Sequence, residues 1–371
     1  MKGNAATPII DKGSMAEECL REYFSGLGSY VLRGVPVRQG SENVTDIDLW
    51  VYTRATAHSR HVAIVDIKNK KRGKAFERAI WVKGLQSALG ADEAIIASQG
   101  VKDSAHRFSD QLNVRVISPS VFDAIIKRFS GVNERFSADE LSMMWKRTEI
   151  ENSNLHARII TVKSEISRQI DFGALNTWVD EAACLLRLAV EREFKPGPFT
   201  RAAYLCCSLV AIGADYLGKN HSLSDVTIRR EFFRQGMLFG RSARDQSRTY
   251  LDFAESIVTE FLDASGSMAA QIRSGFEKSV ERMPVQGLVD FFSRPNSGSD
   301  LLKAAIALEH ACHARNVQAP RELVSLEGKM VIGLISDFAG LRRRDVLGSK
   351  DENYSSGTKH GDSSSEETKL L

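Results

Sequence analysis

The chain has 371 residues, 43% of them apolar, and its formal net charge is +3. The apolar fraction is ordinary for a globular protein, and the length exceeds what one hydrophobic core usually supports, so two domains are expected. The most apolar stretch, around residues 204–217, contains Asp215 and is too short to span a bilayer, and residues 1–11 lack the apolar segment of a signal peptide. With five cysteines and no CxxC pair, the sequence predicts a cytoplasmic protein with reduced thiols and no membrane partner.

The first part of the chain starts with a helix and continues with strands. A helical stripe of apolar residues covers residues 15–27 and is stopped by Gly28. Three β-rich segments follow, over residues 30–37, 46–52 and 61–68, with polar turn residues between them. Three strands in succession predict a meander.

Helix and strand then alternate up to about residue 130. The predicted elements are a helix over 75–89 closed by Gly90, a strand over 94–97, a helix over 103–112, a strand over 114–117 and a helix over 120–129. The order αβββαβαβα favours a mixed sheet flanked by helices. We therefore expect an α/β domain over residues 13–130.

Beyond that domain nearly every segment has helical period. We expect a linker over residues 131–155 and an all-helical domain over residues 156–345. Residues 1–12 are predicted to form an N-terminal arm. Residues 346–371, rich in Ser, Gly and charge, are predicted to be a disordered tail.

The most informative residues are acidic residues on two neighbouring strands and one lysine. Asp66 and Lys68 lie two apart on the third strand, so their side chains point to the same face. A carboxylate there can bind a hard cation while the ammonium binds a water or a phosphate oxygen, as metal-assisted phosphodiester cleavage requires. Asp66 ends an apolar run and is expected to need a partner or a metal. On the second strand lie Asp48 and also Asp46, for which an exposed strand end is the favoured interpretation.

The order αβββαβ, with acidic residues on the first helix and second strand and Asp-x-Lys on the third, resembles the PD-(D/E)XK, or restriction endonuclease-like, nuclease superfamily over residues 13–128. The likeness is closest to restriction-type and Holliday-junction-resolvase-like members, whose first helix has a glutamate about eleven residues before a Gly-aromatic turn. Glu17 precedes Gly28 by eleven residues, but the aromatic Tyr30 lies two positions beyond the glycine. The choice between Glu17 and Glu18 therefore stays open. The helical domain carries no such resemblance.

The resemblance implies a role for each matched residue. Asp48 and Asp66, with the backbone carbonyl of Ile67, would bind Mg²⁺ or Mn²⁺, Lys68 would be the catalytic lysine, and Glu17 would assist from the helix. The candidates for a supporting role are Glu18, Asp46 and Gln86. The implied activity is hydrolysis of DNA phosphodiester bonds, in defence against foreign DNA or in DNA repair and recombination.

Basic residues follow the motif. Residues 1–130 carry 19 basic and 14 acidic side chains, and much of this excess lies just after Lys68. The candidates for nucleic-acid binding are Lys70, Lys71, Arg72 and Lys74. They would bind phosphates without reading bases, with a solvated loop as the open alternative. Arg78 and Lys83 are interpreted as a solvated helix face.

Two other functions remain open. One is a catalytically silent nuclease-fold module that binds DNA or recruits partners, although several retained like charges argue against it. The other is RNA cleavage, which uses the same phosphodiester chemistry. The helical domain is expected to supply targeting, assembly into a homo-oligomer, or binding of a protein partner.

Overall fold

Five strands form one mixed sheet in the computed structural model of the chain. The structure describes residues 12–68, 74–99, 103–131, 135–151, 153–193, 195–240, 256–257 and 267–348. The strands are β1 Tyr30–Gln39, β2 Glu42–Arg54, β3 Arg60–Lys68, β4 Glu93–Ser98 and β5 Val114–Ile117. They follow chain order across the sheet: β1, β2 and β3 form an antiparallel meander, and β3, β4 and β5 are parallel. The prediction of a mixed sheet after a meander is confirmed.

Four helices flank this sheet. They are α1 Lys12–Gly26, α2 Ala75–Leu89, α3 Asp103–Gln111 and α4 Pro119–Phe129. The turn after α1 contains Gly28 at φ +86°, and α2 ends at Gly90 with φ +63°, a left-handed conformation that glycine adopts without steric cost. The predicted order αβββαβαβα is therefore present, while the restriction endonuclease-like assignment stays a prediction.

Beyond residue 130 the described residues are mainly helical, as expected. The helices are α5 Ala138–Lys146, α6 Leu155–Ser164, α7 Phe172–Arg192, α8 Pro198–Gly218, α9 Val226–Phe239, α10 Ser267–Glu281, α11 Gln286–Phe292, α12 Ser297–His313, α13 Leu326–Phe338 and α14 Arg343–Leu347. A two-stranded hairpin, Glu149–Ile150 with Ser153–Asn154, lies between α5 and α6. Within the described ranges, no helix is both long enough and apolar enough to cross a membrane.

Ordered elements lie in the predicted linker and at the start of the predicted tail. The predicted linker over 131–155 contains α5, whose first turn is stabilised by a capping box between Ser137 and Glu140. The predicted tail over 346–371 begins inside α14, where Val346 is buried. Residues 349–371 and residues 1–11 lie outside the described part of the chain.

Hydrophobic cores cover both faces of the sheet. One core lies against α1 and α4 and includes Leu20, Val65 and Phe122. The other runs without interruption from the opposite face of the sheet, at Trp50, into the helical region at Trp178. Sheet and helical region therefore share one apolar core.

A buried ion cluster, here called the Asp215 cluster, also joins these two parts. The carboxylate of Asp215, on α8, accepts hydrogen bonds from Arg60 Nε at 2.8 Å and Nη2 at 2.7 Å. It accepts two more, from the Tyr52 hydroxyl at 2.6 Å and from Arg54 Nη1 at 3.0 Å. Because the three donors come from β2 and β3, the cluster fastens α8 to the sheet.

Candidate active site

Asp48 lies where β2 and β3 separate. The last pair between the two strands is Leu49 with Val65. Beyond this pair the Asp48 carboxylate accepts the Ile67 N–H at 2.7 Å. On the other side of β2, Gly34 of β1 lies opposite Asp48, between the pairs Arg33 with Leu49 and Val35 with Ile47, and has φ +61°, which an L-residue rarely adopts. The Asp48 side chain therefore lies beside β3, just beyond the last pair of the two strands.

Asp66 and Lys68 lie on β3, on either side of Ile67. Lys68 is exposed, whereas Asp66 is only 5% exposed, as its apolar strand predicts. Both oxygens of Asp66 are bound by the guanidinium of Arg78, from the first turn of α2. The interpretation of Arg78 as part of a solvated helix face is therefore wrong, because a buried carboxylate requires a partner and this guanidinium is within its reach.

Three of the four predicted catalytic residues influence the carboxyl group of the fourth, Asp48. Burial raises the pKa of Asp48 from its ordinary value of 3.8 to about 6. The negative charges of Asp66 and Glu17 raise it further, while the Ile67 N–H and the Lys68 ammonium oppose the shift. The charges of Asp66 and Lys68 on β3 and of Glu17 on α1 therefore all act on the Asp48 carboxyl group.

Arg33, on β1, binds both candidate carboxylates of α1. Its Nε donates to Glu17 at 2.6 Å, and its Nη1 donates to Glu18 at 3.0 Å and to Asp139 at 2.9 Å. Burial raises the pKa of Glu17 against the opposing effect of Arg33. Glu18 also accepts a backbone N–H from the start of α5. The Glu17 charge contributes to the raised pKa of Asp48.

The remaining candidates lie away from this group or at its edge. Asp46 is exposed on β2. Gln86 is buried near the end of α2, where its amide donates to two carbonyls of the following turn, two helical turns away from Arg78. Lys74 immediately precedes α2 and pairs with Glu77 at 2.9 Å. The candidates Lys70, Lys71 and Arg72 lie outside the described residues.

A cleft of about 370 Å³ extends from Asp48 towards the helical region. Glu17, Arg33, Trp145 and Lys163 help to line it. Lys163, on α6, donates to the backbone carbonyl of Arg33 at 2.5 Å, and burial together with the Arg33 charge lowers the pKa of Lys163 to about 8. Sequence reasoning missed this cation because α6 reaches the cleft through tertiary packing alone.

The site contains donor groups of the kind that bind a divalent cation. Mg²⁺ and Mn²⁺ prefer carboxylate and carbonyl oxygens, and a cation would stabilise the crowded negative charges around Asp48. Within the described part of the chain, however, no group of three or more His, Cys, Asp or Glu side chains is arranged to bind a metal. Arg78 binds Asp66 and Arg33 binds Glu17. In this structure both of these candidate carboxylates are therefore paired with a guanidinium group.

The raised pKa of Asp48 predicts a pH-dependent stability. The native state binds the Asp48 proton more tightly than the unfolded chain does, so this contribution to stability is complete below pH 3.8 and is lost as the pH rises to about 6. We expect Asp48→Asn, whose amide oxygen still accepts the Ile67 N–H, to be more stable than the unmutated protein above pH 6 by about 1–2 kcal/mol. Urea unfolding without divalent metal at pH 4 and pH 7.5 measures this. An equal gap at both pH values would contradict the assignment.

Comparisons with protein-family models, with curated proteins and with solved structures found no match to this chain.

Proposed function

We propose that this protein is a metal-dependent nuclease that hydrolyses DNA phosphodiester bonds. The observation that carries the proposal is the 2.7 Å hydrogen bond from the Ile67 N–H to Asp48. It brings a carboxylate of β2 against the short stretch of β3 that carries Asp66 and Lys68. Two carboxylates, a backbone carbonyl and an ammonium are thereby gathered at one end of two strands, which is the set of groups that metal-assisted hydrolysis uses.

Each side chain has a task that its environment supports. Asp48, Asp66 and the Ile67 carbonyl would bind Mg²⁺ or Mn²⁺, which when bound supplies an acidic water and neutralises charge on the phosphate. Lys68 is exposed at the end of β3, on the same face as Asp66, where its ammonium can donate to a phosphate oxygen or orient the attacking water. Glu17, fixed by Arg33, would accept a hydrogen bond from a water on the Asp48 side.

The contact between Arg78 and Asp66 predicts competition with metal. Arg78→Ala leaves the buried Asp66 carboxylate without this cation, so we expect the free energy of unfolding to fall by about 1–3 kcal/mol in EDTA. We expect millimolar Mg²⁺ to restore part of this loss, because the ion then binds a site that no guanidinium occupies. Thermal unfolding with and without Mg²⁺ measures both effects.

The matched control for this substitution is Lys74→Ala. Lys74 lies one turn earlier and pairs with the exposed Glu77, so its removal should change neither stability nor the response to Mg²⁺. If Mg²⁺ stabilises the unmutated protein as much as Arg78→Ala, then Arg78 does not compete with the ion.

A second candidate function is a catalytically silent module that binds nucleic acid. The contact of Arg78 with both oxygens of Asp66 favours it, since a guanidinium satisfies the buried carboxylate without any metal. The two functions differ in turnover, because the silent module binds DNA and leaves its phosphodiester bonds intact.

The deciding experiment incubates the purified full-length protein with plasmid, single-stranded DNA, branched DNA and RNA. Each substrate is combined with Mg²⁺, with Mn²⁺ or with EDTA. The proposal expects DNA cleavage that requires the metal and stops in EDTA. Tight DNA binding without cleavage under either metal would establish the silent module, and cleavage of RNA alone would change the substrate class. By resemblance, the setting proposed for DNA cleavage is defence against foreign DNA, or repair and recombination.

A further inference from the structure

Helix α2 exposes large apolar side chains beside the candidate active site. Phe76, Ile80 and Trp81 are 47%, 58% and 40% exposed. Residues three or four apart on a helix are surface neighbours, so Phe76 lies beside Ile80, and Trp81 lies beside Arg78. We call these three exposed side chains the α2 aromatic surface. Exposed apolar side chains grouped next to a functional site are typical of a binding surface.

One side chain connects this surface to the candidate catalytic carboxylate. The guanidinium of Arg78 lies 5.1 Å from the ring of Trp81 while it binds Asp66. A ligand that contacts the Trp81 ring is therefore one side chain away from Asp66. Phe76 packs edge-on against Phe108 of α3 at 5.3 Å, which supports its ring from below while nearly half of its surface stays exposed.

The charges around the α2 aromatic surface indicate what covers it. The end of β3 and the segment that contains α2 carry Lys68, Lys74, Arg78 and Lys83, and Glu77 is the acidic residue of α2. Lys74 pairs with Glu77 and Arg78 with Asp66. A second copy related by twofold symmetry would bring these cations close to their own equivalents, which is unfavourable. A nucleic-acid strand matches both features, because its phosphates pair with cations and its bases stack on aromatic rings.

We propose that the α2 aromatic surface binds unpaired bases of single-stranded DNA while the neighbouring cations bind its phosphates. The bases of a duplex are stacked on one another, so their faces are offered to a side chain only where the strand is unpaired. The inference rests on the proposed nuclease function and narrows its substrate to DNA with a single-stranded region. The nucleotide next to the one held at Asp66 stacks on Trp81.

Tryptophan fluorescence tests this directly. Of the four tryptophans, Trp50, Trp145 and Trp178 are buried, so solvent-exposed emission reports Trp81. The full-length protein is titrated in EDTA, without cleavage, with a short oligothymidylate and with a duplex of the same length. We expect quenching of the exposed emission by the single strand, and binding roughly tenfold tighter than to the duplex.

Three variants separate stacking from a general loss of structure. Trp81→Ala should weaken binding of the oligothymidylate roughly tenfold. Trp81→Phe should retain the binding, because an aromatic ring remains, and should lose the quenching, because the exposed tryptophan emission is gone. The control is Leu223→Ala, since Leu223 is 83% exposed and lies just before α9, and it should behave like the unmutated protein.

Several results would overturn the inference. The first is an unchanged affinity of Trp81→Ala for the single strand, and the second is equal or tighter binding of the duplex. The third is a loss of the exposed Trp81 emission when the protein concentration is raised without DNA, which would assign the surface to a second copy. Because the titration needs no metal, its outcome is independent of cleavage. Stacking without cleavage would reject the hydrolysis, and cleavage without stacking would reject the α2 aromatic surface.

Discussion

Asp66→Asn is expected to lower metal-dependent DNA cleavage on the order of a thousandfold, and Lys68→Ala on the order of a hundredfold. Asparagine has nearly the shape of aspartate and can still accept a hydrogen bond from Arg78, so the fold should survive. It lacks the charge that binds a cation. Lys68 is exposed, and its removal takes away a donor to the phosphate without disturbing the core. Initial rates of plasmid cleavage at saturating Mg²⁺ measure both losses.

The matched control is Asp92→Asn. Asp92 accepts the Val62 N–H of β3 at 2.7 Å, just as Asp48 accepts the Ile67 N–H at the other end of that strand. The control makes the same Asp-to-Asn change at a carboxylate that contacts the other end of β3, away from the candidate site, and should cleave normally. If Asp66→Asn and Lys68→Ala cut as fast as the unmutated protein, the nuclease activity belongs to another site or to a contaminant.

Elements that depend on local periodicity were predicted well. The predicted helix over 75–89 and strand over 114–117 coincide with α2 and β5. Gly28 and Gly90 marked the turns that follow α1 and α2, since both adopt positive φ. These features could be predicted because a repeat of 3.6 or 2 residues and a left-handed turn are each recorded within a few neighbouring residues.

Elements that bury little apolar surface were predicted less well. β2 begins at Glu42, four residues before the predicted start, because residues 42–45 pair with β1 while their side chains remain largely exposed. Without a buried face there is no alternation to detect. The helix α5 lies in the segment that was predicted to be a linker. Ser137 and Glu140 form a capping box at its start, which is a local signal of a helix that can be recognised in the sequence.

In the candidate site, too, the features that depend on local pattern were predicted and the others were not. Alternation along β3 was sufficient to place Asp66 and Lys68 on one face, and the apolar run before Asp66 predicted its burial. The cations near the candidate carboxylates were not predicted. Arg78, Arg33 and Lys163 come from α2, β1 and α6, and pairing across such separations leaves no local pattern. A sequence can indicate that a carboxylate needs a partner without indicating which cation provides it.

Asp215 is the clearest case of such a long-range partner. In the sequence it interrupts the most apolar stretch and argues against a membrane span. The sequence gives no reason for a charge at that position. In the structure its carboxylate is fully buried and accepts four hydrogen bonds, from Tyr52, Arg54 and Arg60. The charge is retained inside an apolar helix because α8 lies against the start of β3, where Arg60 is itself buried.

We expect Asp215→Asn to lower the free energy of unfolding by about 3–5 kcal/mol, because it leaves the buried Arg60 guanidinium without a counter-charge. Urea unfolding monitored by tryptophan fluorescence measures this. Asp66 lies six residues after Arg60 on β3, a distance of roughly 20 Å along the strand. Cleavage per folded molecule should therefore be unchanged at temperatures where the variant is folded. A loss below about 0.5 kcal/mol, which is ordinary for a surface substitution, would mean that the cluster contributes little to joining α8 to the sheet.

Two further variants identify the source of this effect. Asp110→Asn removes an exposed aspartate that pairs with His106 and should change stability by less than about 0.5 kcal/mol. The double variant Asp215→Asn with Arg60→Gln should be less destabilised than the sum of the two single variants, because no uncompensated charge remains buried between the two residues. Strict additivity would show that Asp215 and Arg60 act independently, and that the shared apolar core alone holds the helical region against the sheet.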